Sequence, residues 1–181
     1  MKLLPTGLKE VLAIEPRVFA DARGLLFESY NRRAFRDATG IDVEFVQDNH
    51  SRSVRNALRG LHYQIQQPQG KLVRVVVGRV FDVAVDLRRS SPQFGKWAGV
   101  ELDAESNRMI WIPPGFGHGF FVLSELADVL YKTTDFYAPQ HERTVLWSDP
   151  RLAIRWPLEG EPILADKDKR GATLDRAELY P

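Results

Sequence analysis

The sequence predicts a mostly β domain of the sandwich, barrel or jelly-roll kind. Three observations carry that prediction. Short segments rich in Val, Ile, Phe and Trp follow one another from residue 58 onward, Gly- and Pro-containing turn signals separate them, and helical signals are few. At 181 residues the chain is long enough for one domain with a real core and short for two.

In chain order, Arg32 to Thr39 reads as two helical turns, with Asn31 as N-cap and Gly40 just past the end. Leu58 to Gln64 leads into the β-rich region. Leu72 to Val77 is β-branched and stops at Gly78. Arg79 to Asp86 follows as a strand with Asp82, Ala84 and Asp86 on one face and Val83 and Val85 on the other. Gly99 to Leu102, Arg108 to Ile112, Gly119 to Leu123 and Asp128 to Thr134 are further short strands. Ser90-Ser91-Pro92, Pro113-Pro114-Gly115 and Ala138-Pro139 supply the turns. The charged end from Ala165 reads as a short helix or an irregular arm. No repeat, low-complexity tract or linker interrupts the chain.

Composition narrows the function. A net charge of +1 gives no global field for nucleic acid or an anionic membrane, so an anionic ligand must meet a local cluster of cations. With no cysteine, disulfides, thiolate catalysis and Cys-ligated zinc are excluded, which fits a reducing cytoplasm. No segment approaches the ~20 apolar residues that span a bilayer, and Met1 to Glu10 has no apolar leader. A glycine-rich dinucleotide fingerprint is missing as well.

Two histidines carry the chemistry. Arg59-Gly60-Leu61-His62-Tyr63-Gln64, with Lys71 downstream, places an imidazole, a guanidinium and an ammonium together; if the region alternates as a strand, His62 and Gln64 share a face. The plain reading is a solvated histidine on a surface strand. Pro113-Pro114-Gly115-Phe116-Gly117-His118 resembles the second motif of the cupin superfamily, whose turn places a histidine inside a small β-barrel. The first cupin motif supplies His-x-His and a glutamate; here His62-Tyr63-Gln64 offers an amide instead, and no glutamate follows. A stable divalent site usually needs three or more protein ligands, so the expectation is no metal. Three other groups have plain readings too. Asp21-Ala22-Arg23-Gly24 reads as a turn, Asp48-Asn49 as a loop, and Asp166-Lys167-Asp168 as a solvated charge run. Tyr131 and Tyr137 read as packing tyrosines.

Six blocks in order resemble the dTDP-4-dehydrorhamnose 3,5-epimerase family, from about Pro16 to Asp168. They are Phe45 to Ser51, Leu58 to Gln64, Gly70-Lys71, Gly78 to Leu87, Pro113 to Phe120 and Leu130 to Pro139. The resemblance implies a single cupin-like, metal-free jelly-roll domain over 1–181, its core at about 16–168 and a C-terminal arm at 169–181. It implies inversion of C3 and C5 of dTDP-4-dehydro-6-deoxy-D-glucose, within dTDP-L-rhamnose synthesis, without a cofactor. By position, His62 matches the family's base, Asp168 the carboxylate paired with it, Tyr131 the proton donor, and Lys71 a lysine near the substrate carbonyl. Arg23, Glu28, Gln47, Asp48, Asn49, Arg59, His118, Glu142 and Lys167 match the substrate-binding set, and Tyr137 an aromatic that stacks on thymine. The family's homodimer exchanges an amino-terminal segment; neither nucleic acid nor membrane is a partner. This chain reads Leu164-Ala165-Asp166-Lys167-Asp168 where the family commonly reads Leu-Ser-Glu-Lys-Asp. Asp82 stands as the reserve partner for His62. An epimerase that inverts one carbon, and a non-catalytic sugar-nucleotide-binding cupin, are the alternatives.

The chemistry explains the residue types. Hydrogens at C3 and C5 lie α to the C4 carbonyl, so each leaves as a proton, and inversion needs a base on one face and an acid on the other. Histidine titrates near ~6.5 and suits the base. A phenol suits the acid, and a lysine suits the enolate oxygen.

Overall fold

The fold is that of a computed structural model, which describes all residues from Met1 to Pro181. Strands β1 (Lys2–Leu4), β2 (Leu12–Glu15), β10 (Met109–Ile112), β7 (Lys71–Val77), β12 (Leu126–Thr133) and β5 (Gln47–Val54) form a six-stranded antiparallel sheet in the order β1-β2-β10-β7-β12-β5. Strands β13 (Glu142–Thr144), β6 (Leu58–Gln64), β11 (Phe116–Val122), β8 (Arg79–Asp86) and β9 (Trp97–Asp103) form a second sheet in the order β13-β6-β11-β8-β9. A separate ribbon joins β3 (Val18–Asp21) to β4 (Gly24–Phe27). The mostly β, cupin-like expectation holds, as two facing sheets rather than a closed barrel.

Period-2 alternation builds three apolar layers. Val73, Val75, Ile110, Ile112 and Val129 of the first sheet meet Val80, Ala84, Ala98, Leu102, Phe120 and Val122 of the second. The outer face of the first sheet, with Ile14, Leu72, Met109 and Trp111, lies under Phe35 of helix α1 (Arg32–Thr39). Asn31 caps that helix by accepting from the Ala34 amide at 3.1 Å, and Gly40 adopts a φ of 73° beyond its end, as the sequence predicted. The outer face of the second sheet, with Leu61, Tyr63, Val83, Val85 and Val145, is covered by Leu152, Leu174 and Ala177. Asp82 therefore points inward while Val83 and Val85 point outward, the alternation read from the sequence.

Three features differ from the sequence reading. Gln47 to Val54 is a strand, not a loop: its polar residues tolerate an edge position where one face meets water. Phe116 to His118 belong to β11 rather than to the turn before it, because Phe116 is buried in the core between the sheets. Asp166–Lys169 takes the first of the two forms expected of the charged end, a short helix, α2, but Asp168 within it is only 1% exposed, not a solvated charge. The first four strands also lay outside the sequence reading, since each is only three or four residues long.

Candidate active site

One cavity of about 610 Å³ opens between the sheets. His62 enters it from β6, and Lys71 and Tyr131 enter from β7 and β12 of the opposite sheet. A bulge explains how β6 aims both Arg59 and His62 inward. His118 pairs with His62 and Phe120 with Arg59, so three steps on β6 match two on β11, and the parity that would separate positions 59 and 62 is reset. Glycine makes this possible. Gly60 has a φ of 128°, and a Cβ there would lie 2.5 Å from the Gly119 Cα.

His62 Nε2 and Asp168 Oδ1 lie 2.5 Å apart, with the His62 side chain 22% exposed. Burial lowers the His62 pKa, against the Asp168 carboxylate, which raises it. The choice between Asp168 and Asp82 is thereby resolved in favour of Asp168. Asp82 pairs with the other histidine instead, His118 Nε2 lying 2.9 Å from Asp82 Oδ2. Lys71 is 8% exposed, and burial pushes its pKa down to about 8 despite the nearby Asp82 and Glu142. Burial raises the Tyr131 pKa against the pull of Arg59 and Lys167, so the phenol holds its proton at neutral pH. Gln64, which stands where the cupin motif puts a metal ligand, spends its amide on backbone. Its Nε2 donates to the carbonyls of Gln67 and Phe136 at 2.8 and 3.2 Å, and its Oε1 accepts from the Ala138 amide at 2.8 Å.

A polar chain runs across the mouth and ties the two sheets. Lys167 Nζ donates to Glu142 at 2.9 Å and the Tyr137 hydroxyl donates to the same carboxylate at 3.3 Å. The Tyr137 amide donates to Gln47 Oε1 at 3.0 Å, and Gln47 Nε2 donates to Asn49 Oδ1 at 2.8 Å. The Tyr137 ring is 52% exposed and free to stack. Arg59 is held by Ser53 Oγ at 2.9 Å beside the opening.

Of the residues matched from the sequence, Gln47, Asn49, Arg59, His62, Lys71, His118, Tyr131, Tyr137, Glu142, Lys167 and Asp168 line this one cavity. Arg23, Glu28 and Asp48 do not. Arg23 pairs with Asp21 at 2.6 Å at the tip of the exposed ribbon, Glu28 accepts from Asn31 at 2.9 Å, and Asp48 pairs with Lys132 at 2.8 Å outside it. The sequence reading missed Ser51, whose Oγ is buried in the lining without a hydrogen-bond partner. Alternation from Gln47 and Asn49 would have found it, had β5 been recognised as a strand.

A two-sheet cupin-like fold whose cavity gathers a carboxylate-paired imidazole, a phenol and a buried lysine is the architecture of a cupin-like protein with a site equipped for proton chemistry. The model of the dTDP-4-dehydrorhamnose 3,5-epimerase family matches residues 5–176. The chain is 60% identical over 181 residues, the whole of both chains, to a dTDP-4-dehydrorhamnose 3,5-epimerase of Pseudomonas aeruginosa. It is similar to the crystal structure of a Legionella pneumophila dTDP-6-deoxy-D-glucose-3,5-epimerase in complex with dTDP-4-keto-L-rhamnose. That match has a TM-score of 0.96 at 48% identity, covering 99% of this chain and 97% of that one. A more distant relative, from Streptomyces niveus, is named a dTDP-4-dehydrorhamnose 3-epimerase; it is 40% identical over 98% of this chain and 86% of its own length. The chain belongs to the dTDP-4-dehydrorhamnose 3,5-epimerase family. It is an isomerase acting on a sugar nucleotide, not a non-catalytic cupin.

Proposed function

We propose that His62 and Tyr131 carry out the 3,5-epimerisation from opposite faces of dTDP-4-dehydro-6-deoxy-D-glucose. The observation that carries this reading is their origin on facing sheets around one cavity. With Nε2–H donating to Asp168, Nδ1 of His62 is the nitrogen left with a lone pair, and the carboxylate stabilises the imidazolium that forms. Removal of the proton at C3 or C5 leaves negative charge on the C4 oxygen. Lys71, a cationic donor in a buried site, would stabilise that enolate by roughly 3–4 kcal/mol, the size of an oxyanion-hole contribution. Tyr131 then returns a proton from the other side. Each well-placed acid or base contributes about 10²–10⁴-fold. Arg59 and Lys167 meet the diphosphate, His118, Gln47 and Asn49 bind polar groups of the substrate, and Tyr137 stacks on the thymine.

Arg23 and Glu28 belong to this reading only in a homodimer, and Asp48, paired with Lys132 outside the cavity, drops out of it. Val18, Phe19, Leu25 and Leu26 of the β3–β4 ribbon are all exposed large hydrophobic residues, Leu26 at 73%. Such a ribbon supports an exchanged segment that lies on a second copy and brings Arg23 and Glu28 to its cavity. The whole chain is one domain in this proposal, since Leu8, Val11 and Leu174 all pack in the core layers. No helix is long and apolar enough to cross a membrane, and the lack of cysteine supports a cytoplasmic setting.

The test is isotope incorporation. In D₂O the purified protein should place deuterium at both C3 and C5 of the substrate. His62→Ala should lower exchange by at least about 100-fold, whereas Tyr131→Phe should slow inversion and leave some proton abstraction. Label at C3 alone would favour the second reading, a single-carbon epimerase, which the name of the Streptomyces niveus relative keeps in view. An active His62→Ala variant would refute the base assignment.

A further inference from the structure

Asp168 reaches His62 from the far end of the chain, so something must set the register between residue 168 and strand β6. The segment that carries it is stitched to β6 at two levels. At one end the Ile163 amide donates to the Asn56 carbonyl at 2.8 Å and the Leu58 amide to the Ile163 carbonyl at 3.0 Å. At the other end strand β13 acts as a spacer. Thr144 pairs with His62, and Leu61 and Val145 exchange amide–carbonyl bonds at 3.2 and 3.0 Å. On its far side the Ala172 amide donates to the Thr144 carbonyl at 2.9 Å and the Leu146 amide to the Ala172 carbonyl at 2.8 Å. Asp168 lies four residues before Ala172, in the short helix α2.

A buried carboxylate outside the cavity holds this second level. Asp149 is 2% exposed. Its Oδ1 accepts from the Arg151 and Leu152 amides at 2.8 and 3.2 Å, which fixes the turn after Leu146. Its Oδ2 accepts from the Leu174 amide at 2.8 Å, closing an excursion of 25 residues that contains all of α2. Between these anchors Gly171 is pressed against Leu146, where a Cβ would lie 2.8 Å from the Leu146 amide nitrogen. The segment that follows β13 and the segment that follows α2 are thus locked side by side.

We propose that Asp149 is a positioning residue for the reaction: by clamping residues 171–174 to the turn after Leu146, it sets where Asp168 meets His62. The inference rests on the reading of His62 as the base with Asp168 as its partner. Asp149→Asn is the sharp variant. Its amide keeps one acceptor oxygen for the local turn but puts an NH₂ group against the Leu174 amide, leaving that buried donor without a partner. A misplacement of about 1 Å at a reacting group costs on the order of 10²-fold, so kcat should fall by about 10- to 100-fold with KM within about twofold.

A double-mutant cycle separates positioning from general damage. Once Asp168→Asn has removed the carboxylate being positioned, adding Asp149→Asn should lower kcat by less than about twofold. Equal losses in both backgrounds would overturn the proposal, because a purely structural defect acts regardless of residue 168. An Asp168→Asn variant with full activity would instead sink the pairing of His62 with Asp168, a different failure. Near-ultraviolet circular dichroism checks folding, and Gly171→Ala enters the same cycle if Asp149→Asn does not fold. Failure of both to fold would assign the clamp to stability alone and reject the positioning role.

Discussion

Burial pushes His62 and Lys71 in the same direction, toward their neutral forms, with opposite consequences for the reaction. In the proposed reaction a neutral imidazole is the base, so lowering its pKa extends activity toward acid. A neutral amine is a weaker stabiliser of the enolate, so lowering its pKa cuts activity off sooner in base. We therefore expect a bell-shaped dependence of kcat/KM on pH. Its acid limb should fall below the ordinary histidine value of ~6.5. Its basic limb should lie near the Lys71 value of about 8. A rate that holds to about pH 10 would mean that Lys71 is not the titrating donor. Little of this was readable from residue identity, because desolvation depends on which side chains close around a group.

At the level of elements, helix α1 was legible residue by residue, whereas the charged end that forms α2 read equally as a short helix or an irregular arm, for a physical reason. Asn31, Gly40 and the apolar Phe35 are local signals, and the chain supplies them in the right order. Asp166–Lys169 has no such pattern; it is helical because Ile163 and Ala172 are held at either end by strands distant in sequence. The capping contact makes a clean prediction. Asn31→Ala should destabilise the protein by about 1 kcal/mol. Thermal denaturation should show this as a drop in Tm of roughly 2–4 °C. An unchanged Tm would mean that the packing of Phe35 against Trp111, ring centroids 5.7 Å apart, holds the helix without its cap. The bulge at Gly60 belongs to this scale too. Strict alternation puts Arg59 and His62 on opposite faces, and only the pairing with β11 shows why both face the cavity.

For the whole molecule, the ribbon of β3 and β4 stands out because it presents Val18, Phe19, Leu25 and Leu26 to solvent. Replacing Leu26 with Asp should convert a dimer to monomers, read by light scattering on a sizing column, and should lower activity if Arg23 and Glu28 serve a neighbouring cavity. A wild-type protein that is monomeric at working concentration would end the exchanged-segment reading. The sequence by itself determined the fold class and picked out most of the polar residues that line the candidate cavity, because alternation, turn residues and ordered motifs are local properties that survive without coordinates. Tertiary structure alone decided which carboxylate serves which histidine, that His62 and Tyr131 stand on opposite walls, and that a buried aspartate near residue 150 closes the loop behind Asp168. Each of those is a contact between residues remote in the chain, and the free energy of such contacts comes from burial that no window of sequence contains.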